Sequence, residues 1–331
     1  MSVDFIHIGM MKTATTYMQS IWMKDEAYSL SWQGNMKLLN SLRKLVSQDQ
    51  FNSNLILDIR TDIPKEKKQK TVISNEGFST AYLNQLHLQE KIPQFIDLTS
   101  QNLGRLAHAT PNLLIGIRDP VSWLKSMYVQ SIKEGGYGSA QEFVDKQFLF
   151  IRHSLDLEYI VNCYKRYFNN ILILPYEILK TDEDLFWNVI SDVFDVPVPN
   201  ERIVNPINSS LDLKRTFLLS KLNEMSSLLV NTINISTDYK NSQEKLKLMQ
   251  NHKNNEKWVH RRFVEFANVD QIDNMYNLFQ ISNPPDDFLE FTITDELKGI
   301  IKNKFIKFIR ENTIPEFADD YEKKLLEHLN K

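Results

Sequence analysis

The chain has 331 residues, 24% of them charged and 42% hydrophobic, with a net charge of -3 from 39 basic and 42 acidic side chains. That length builds one large core or two modest domains, and the near-neutral balance excludes a global attraction for nucleic acid or anionic membrane. A single cysteine, Cys163, excludes an intrachain disulfide and a cysteine-built metal site, and reads as a small buried hydrophobe.

Taken in order, Phe5–Ile8 is an apolar run ending just before Gly9, as in a buried parallel strand. From Thr15 the spacing of Tyr17, Met18, Ile21 and Trp22 predicts a helix. Residues 31–70 are ambiguous: LIL at 55–57 suits strand or helix, and PKEKKQK at 64–70 reads as a solvated linker or helix face. A second strand is expected over 71–74, with Asn75-Glu76-Gly77 leaving it in a turn, and helix over 94–108. Leu113–Ile117 is a third strand, with Arg118 and Asp119 at its end and Pro120 opening a helix over 121–132. Residues 141–168 carry a mostly helical pattern, 171–174 a fourth strand and 183–194 a helix. Helices are then expected over 211–230, 241–267, 293–311 and 317–329, with 270–287 irregular in part.

Alternating strands and helices define an α/β protein, a three-layer sandwich on a mostly parallel sheet with a helix-rich C-terminal part. The expected organisation is one domain over 1–331, an α/β nucleotide-binding core at 1–210 with a helical extension at 211–331. No run approaches the ~20 apolar residues that span a bilayer, and the N-terminus does not read as a signal peptide. Together these predict a cytoplasmic protein.

The chemistry-bearing residues fall just past three predicted strands, at the edge where open sheets bind ligands. Gly9-Met10-Met11-Lys12-Thr13-Ala14-Thr15-Thr16 joins a strand to a helix. Gly9 permits a tight turn, the following N–H groups face an oxyanion at the helix start, and Lys12 can bend over it. The loop departs from GxxxxGK[ST], because its lysine does not precede the hydroxyl pair. No aspartate ends an apolar strand as a magnesium ligand does, so no metal site is expected.

IGMMKTATT resembles the 5′-phosphosulfate-binding loop of sulfotransferases that use 3′-phosphoadenosine-5′-phosphosulfate (PAPS). RDPVSWLKSMYVQ at 118–130, about 105 residues on, resembles the family's 3′-phosphate signature, and ILILPYEIL at 171–179 its late strand and YE-x-L element. The resemblance covers residues 1–180 and implies a P-loop NTPase-like sulfotransferase fold. It implies PAPS as donor and PAP as product, without a metal. Gly9, Met11, Lys12, Thr13, Ala14, Thr15, Thr16, Arg118 and Ser126 are then the cofactor contacts. Lys12 is the catalytic cation, and Glu76, by position, the base taking the acceptor proton. The implied acceptor is a carbohydrate or glycolipid hydroxyl, with a small hydroxylated metabolite second, and no nucleic acid. The alternatives are a P-loop kinase-like phosphotransferase and a non-catalytic nucleotide- or polyanion-binding scaffold.

Other residues stay open. His87, His108, His252 and His260 are alternative bases, while His7 reads as packed core. Trp22, Trp32 and Phe78 are candidates to stack on adenine, and Lys125 to add a donor. Gln130 and Lys133 suit the cleft or solvent equally. Tyr176 and Glu177 read as support for the fold.

Overall fold

A computed structural model describes residues 3–31, 33–49, 69–80, 86–105, 110–203, 211–236, 258–312 and 315–330. Five strands, β1 (Phe5–Gly9), β2 (Tyr28–Ser31), β3 (Lys70–Ser74), β4 (Asn112–Ile117) and β5 (Asn170–Pro175), form an all-parallel sheet in the order β2-β3-β1-β4-β5. The helices up to the last strand's return are α1 (Thr15–Lys24), α2 (Gln33–Ser47), α3 (Gly77–Thr80), α4 (Ile92–Gly104), α5 (Pro120–Lys133), α6 (Ala140–Lys146), α7 (Phe148–Leu155), α8 (Leu157–Lys165), α9 (Tyr176–Thr181) and α10 (Glu183–Phe194). Beyond them lie α11 (Leu213–Ser236), α12 (258–266), α13 (Val269–Leu278), α14 (Asp295–Ile300), α15 (Lys307–Asn312) and α16 (Pro315–Leu329). A π-helical turn, Ile301–Ile306, joins α14 to α15.

Parallel strands need crossovers that bury both sheet faces, and the period-two alternation of each strand supplies both. Phe5, Val72, Leu114 and Leu174 cluster on one face with Met18, Ile21 and Trp22 of α1 and Phe186, Trp187 and Ile190 of α10. Trp22 meets Phe5 and Trp187 edge-on, with ring centroids 5.5 and 6.0 Å apart. Ile6, Ile8, Leu113, Ile115 and Ile117 are buried on the opposite face, where α3, α7 and α8 close over Ile115. The result is the expected three-layer sandwich. Among the described residues no helix is long and apolar enough to cross a membrane.

The chain gathers into two compact units. One comprises Met1–Trp123, Gln147–Asn208 and Ile293–Lys331 and holds the sheet; the other comprises Leu124–Lys146 and Ser209–Thr292. Within the second unit the buried Asn223 donates to the carbonyls of Ile132 and Gly136, both at 2.9 Å. Phe288 meets Tyr128 and Phe217 edge-on in the same unit.

Four strands stand where the apolar runs place them. β2 and α2 emerge from and beside the ambiguous stretch. The segment 141–168 is three helices, because Asp156 stops one helix and its carboxylate caps the next. The expectation that 270–287 is irregular in part holds: its second half, 279–287, is turn and coil, and its first half is helical. There α13 forms behind a capping box in which Asn268 and Gln271 satisfy each other's backbone N–H groups. Residues 55–57, 64–68, Trp32, His108, His252 and the part of the 241–267 helix before 258 lie outside the described residues.

Candidate anion site at the carboxyl edge of the sheet

β1 lies between β3 and β4, and its crossover runs toward β3 while that of β4 runs toward β5. The sheet therefore has its topological switch point between β1 and β4, where crevices open beyond the strand ends in α/β folds. The loops that leave these two strands, residues 10–14 and 118–119, flank that point.

Gly9 closes β1 opposite Gly116 of β4. Its φ is 151°, and a Cβ there would stand 2.5 Å from the Gly116 carbonyl oxygen, so only glycine fits. The N–H of Met10 still donates to that oxygen at 2.8 Å. From there the carbonyls of Gly9, Met10, Met11 and Lys12 each meet a donor. Gly9 O accepts from the Ser79 hydroxyl at 2.6 Å, and Met10 O from the Thr13 hydroxyl at 2.7 Å. Met11 O accepts from the Trp123 indole N–H at 3.0 Å and Lys12 O from the Arg118 guanidinium at 3.2 Å. Ala14 O takes the Met18 N–H of α1.

Because a peptide unit is planar and trans, its N–H points away from its C=O. The carbonyls of Met10, Met11 and Lys12, each held by a donor, thus aim the N–H groups of Met11, Lys12 and Thr13 away from those donors, while the Met10 N–H stays on β4. Lys12 and Ala14 adopt left-handed φ values of 65° and 60°, alternating with ordinary ones at Met11 and Thr13, a pattern that makes an anion-binding concavity of successive N–H groups. Among the described residues nothing accepts from the N–H groups of Thr13, Ala14, Thr15 or Thr16. The last of these open α1, whose first-turn donors have no intrahelical partner and whose dipole favours an anion. The Thr15 hydroxyl is sealed from solvent with no partner among the described residues, and Thr16 is exposed.

Glu76 stands at the matching edge one strand over. β1 and β3 run parallel with His7 opposite Ser74, and just past the strand the Ser79 hydroxyl reaches both Gly9 O and Glu76 O, at 2.6 and 2.9 Å. The Asn75 side chain accepts from Gly77 N–H and holds the turn, while Ser79 ties α3 to the end of β1. Arg118 bridges the two loops: one N–H reaches Lys12 O, and its plane lies over Tyr176 with 5.2 Å to the ring centroid. Burial pushes the Tyr176 hydroxyl pKa up, against the pull of Arg118. Lys180 lies over the same ring at 5.0 Å, a cation beside the site that its sequence context does not advertise.

Asp119 accepts from Val121 and Ser122 N–H groups and from the Ser122 hydroxyl, capping α5 just before Pro120. Glu177 receives the Asp119 N–H at 3.0 Å and, on its other oxygen, the Tyr321 hydroxyl. Behind the loop a narrow, mostly apolar cavity, lined by Gly9, Met11, Ser79, Trp123 and Leu157, has room for about one water molecule.

The structure thus brings together Gly9, Met11, Lys12, Thr13, Ala14, Thr15, Thr16, Glu76 and Arg118 on the sheet edge of the first unit. Ser126 is buried two turns into α5 and belongs to the second unit, as does Lys125, which pairs with Glu290 at 2.7 Å. His7 is core: its Nδ1 lies 2.7 Å from the Ser74 hydroxyl, and burial lowers its pKa to about 3. Trp22 and Phe78 are fully buried in that core and offer no face to a base. His87 sits exposed on a 3₁₀ turn (Leu86–Lys91). Cys163 is buried, with its thiol pKa pushed up by that burial. Among the described residues no three His, Cys, Asp or Glu side chains gather as a metal-binding set.

Two residues of the loop's frame, Ser79 and Trp123, carry no local motif, since their role depends on contacts 70 and 112 residues away in sequence. A scan of protein-family models finds no match to the chain, and neither does a search of curated proteins.

Proposed function

We propose that the protein transfers a sulfuryl group from PAPS to an acceptor hydroxyl, first of all on a glycan or glycolipid. The observation that carries this reading is the loop at 9–14: the carbonyls of Gly9, Met10, Met11 and Lys12 each meet a donor, Lys12 and Ala14 take left-handed φ values, and among the described residues nothing accepts from the N–H groups of Thr13 to Thr16. Such a cradle suits a tetrahedral oxyanion and asks for no metal. The residues resemble the 5′-phosphosulfate loop of PAPS-dependent sulfotransferases, which gives the anion its identity.

In this reading the cradle at Lys12–Thr16 holds the 5′-phosphosulfate and Arg118 the 3′-phosphate. The acceptor oxygen attacks sulfur in line. The S–O bond to the phosphate breaks with its electrons on the bridging oxygen, and PAP leaves. The acceptor proton passes to the Glu76 carboxylate, for which a reach of ~3 Å is needed. Lys12 stabilises the charge growing on the bridging oxygen, an electrostatic role worth ~2.7–4 kcal/mol by comparison with a single oxyanion-hole donor.

The test has two stages. PAP should raise the unfolding temperature at concentrations where ATP with Mg²⁺ does not, through mass-action linkage. Transfer of labelled sulfate to a panel of sugars and small alcohols should then persist in chelator. Lys12→Ala should lower kcat by about a hundredfold or more while KM for PAPS changes far less. Equal losses in both would remove Lys12 from the transition state. Stabilisation by PAP with no turnover on any acceptor would favour the nucleotide-binding scaffold.

A further inference from the structure

We infer that Trp123 is a positioning residue whose indole N–H latches the Met11–Lys12 peptide in the strained orientation that opens the cradle. The inference rests on the anion-holding reading of the loop. It starts from the backbone. Lys12 is not a glycine, yet its φ is 65°, a left-handed conformation that a residue with a Cβ adopts at a steric cost. Rotating the Met11–Lys12 peptide plane by half a turn changes only ψ of Met11 and φ of Lys12. It would carry Lys12 to an ordinary negative φ and relieve the strain. It would also replace the inward N–H of Lys12 by a carbonyl oxygen, which repels an anion. Something must therefore hold the plane.

The Met11 carbonyl has one donor among the described residues, the Trp123 Nε1–H at 3.0 Å. Trp123 is well built for the task. It is fully buried in the first turn of α5, directly after the Asp119 cap and Pro120, and its ring lies against Phe150. A rigid indole fixed by packing cannot follow the carbonyl if the peptide turns, so the flipped state leaves both the N–H and the carbonyl without partners. The neighbouring Lys12–Thr13 peptide is held in the same sense by Arg118. Two side chains from the β4–α5 junction, Arg118 and Trp123, thus set two successive N–H groups of the β1–α1 loop.

The deciding experiment replaces Trp123 by Phe and measures binding of PAP, inorganic pyrophosphate and adenosine 3′-monophosphate by calorimetry. Expected is a loss of about tenfold for PAP and pyrophosphate, the effect of one positioning hydrogen bond. No loss is expected for adenosine 3′-monophosphate, which has no 5′ anion for the cradle. A merely structural role would weaken all three alike, and that result overturns the inference. So does wild-type affinity for PAP and pyrophosphate in Trp123→Phe. Should the phenylalanine variant not fold, the benzothiophene isostere of tryptophan, placed at 123 by stop-codon suppression, keeps the ring volume and lacks only the N–H. If the unaltered protein binds neither PAP nor pyrophosphate, the anion reading itself falls, and the latch with it.

Discussion

His7 shows how a polar residue inside a strand is settled by its neighbours. It sits in the middle of β1 without solvent contact, beside the edge of Trp22 at 5.5 Å, with the hydroxyl of Ser74 on its Nδ1 and the Gln19 amide on that same hydroxyl. Burial favours the neutral imidazole and lowers the pKa to about 3. In the unfolded chain it titrates near the ordinary value of about 6.5. Below that pH the unfolded state binds a proton that the folded state refuses, so stability is full above it and falls as the pH drops toward 3. The slope is about 1.4 kcal/mol per pH unit, or about 2 kcal/mol between pH 6.5 and 5. Urea midpoints should shift accordingly, and His7→Gln should remove most of that acid sensitivity even if it lowers stability at pH 7. An unchanged slope in the variant would assign the acid effect elsewhere. The same scale shows why Gly9 is legible in sequence and Trp123 is not. A glycine between an apolar run and a lysine announces a turn, whereas a tryptophan inside a helix announces only burial.

At the scale of elements, α5 illustrates how local signals place the site. Asp119 caps it with two backbone acceptances and Pro120 opens it, so the helix starts where β4 ends and Trp123 arrives under the loop. Asp119→Ala should cost about 1–2 kcal/mol in denaturant unfolding, and Asp119→Asn should restore much of it, since asparagine caps nearly as well. A larger loss in Asn would mean that charge matters more than the cap. The strands β1, β3, β4 and β5 are legible because strands buried on both faces read as unbroken apolar runs. β2 is not, because YSLS at the sheet edge is four residues with two serines. α13 has a readable start in Asn268-x-x-Gln271, but its Asn- and Asp-rich composition outweighs that signal in a pattern-based reading. The site residues at 9–16 and 118 are legible for a different reason. Their chemistry is concentrated in loops at strand ends, so local order carries it, while the frame that orients them is assembled from distant contacts.

At the scale of the whole chain, the C-terminal residues Ile293–Lys331 join the compact unit that holds the sheet. One contact holds the segment's own helices together, and another ties it to the sheet. Arg310 reaches Asp319 and Glu322 on the exposed face of α15 and α16 at 2.9 and 2.8 Å. Such surface pairs contribute within about 1 kcal/mol, because water screens them and the side chains lose entropy. The other contact is inside. Tyr321 is fully buried, with its hydroxyl pKa raised by that burial and by Glu177, and it donates to the carboxylate that also holds the Asp119 N–H. Removing the hydroxyl takes one partner from a partly buried carboxylate, a loss of about 1.5–3 kcal/mol. Tyr321→Phe should therefore lower the urea midpoint clearly more than Arg310→Ala does. In a double-mutant cycle, Tyr321→Phe and Glu177→Gln should couple by about 1 kcal/mol or more, whereas Arg310→Ala and Glu177→Gln should be additive. Additivity in the first pair would mean that α16 is held by apolar packing around Leu325 and Ala318, with the hydroxyl incidental. Coupling would mean that the last helix of the chain steadies the β4–α5 junction from which Arg118 reaches the anion loop.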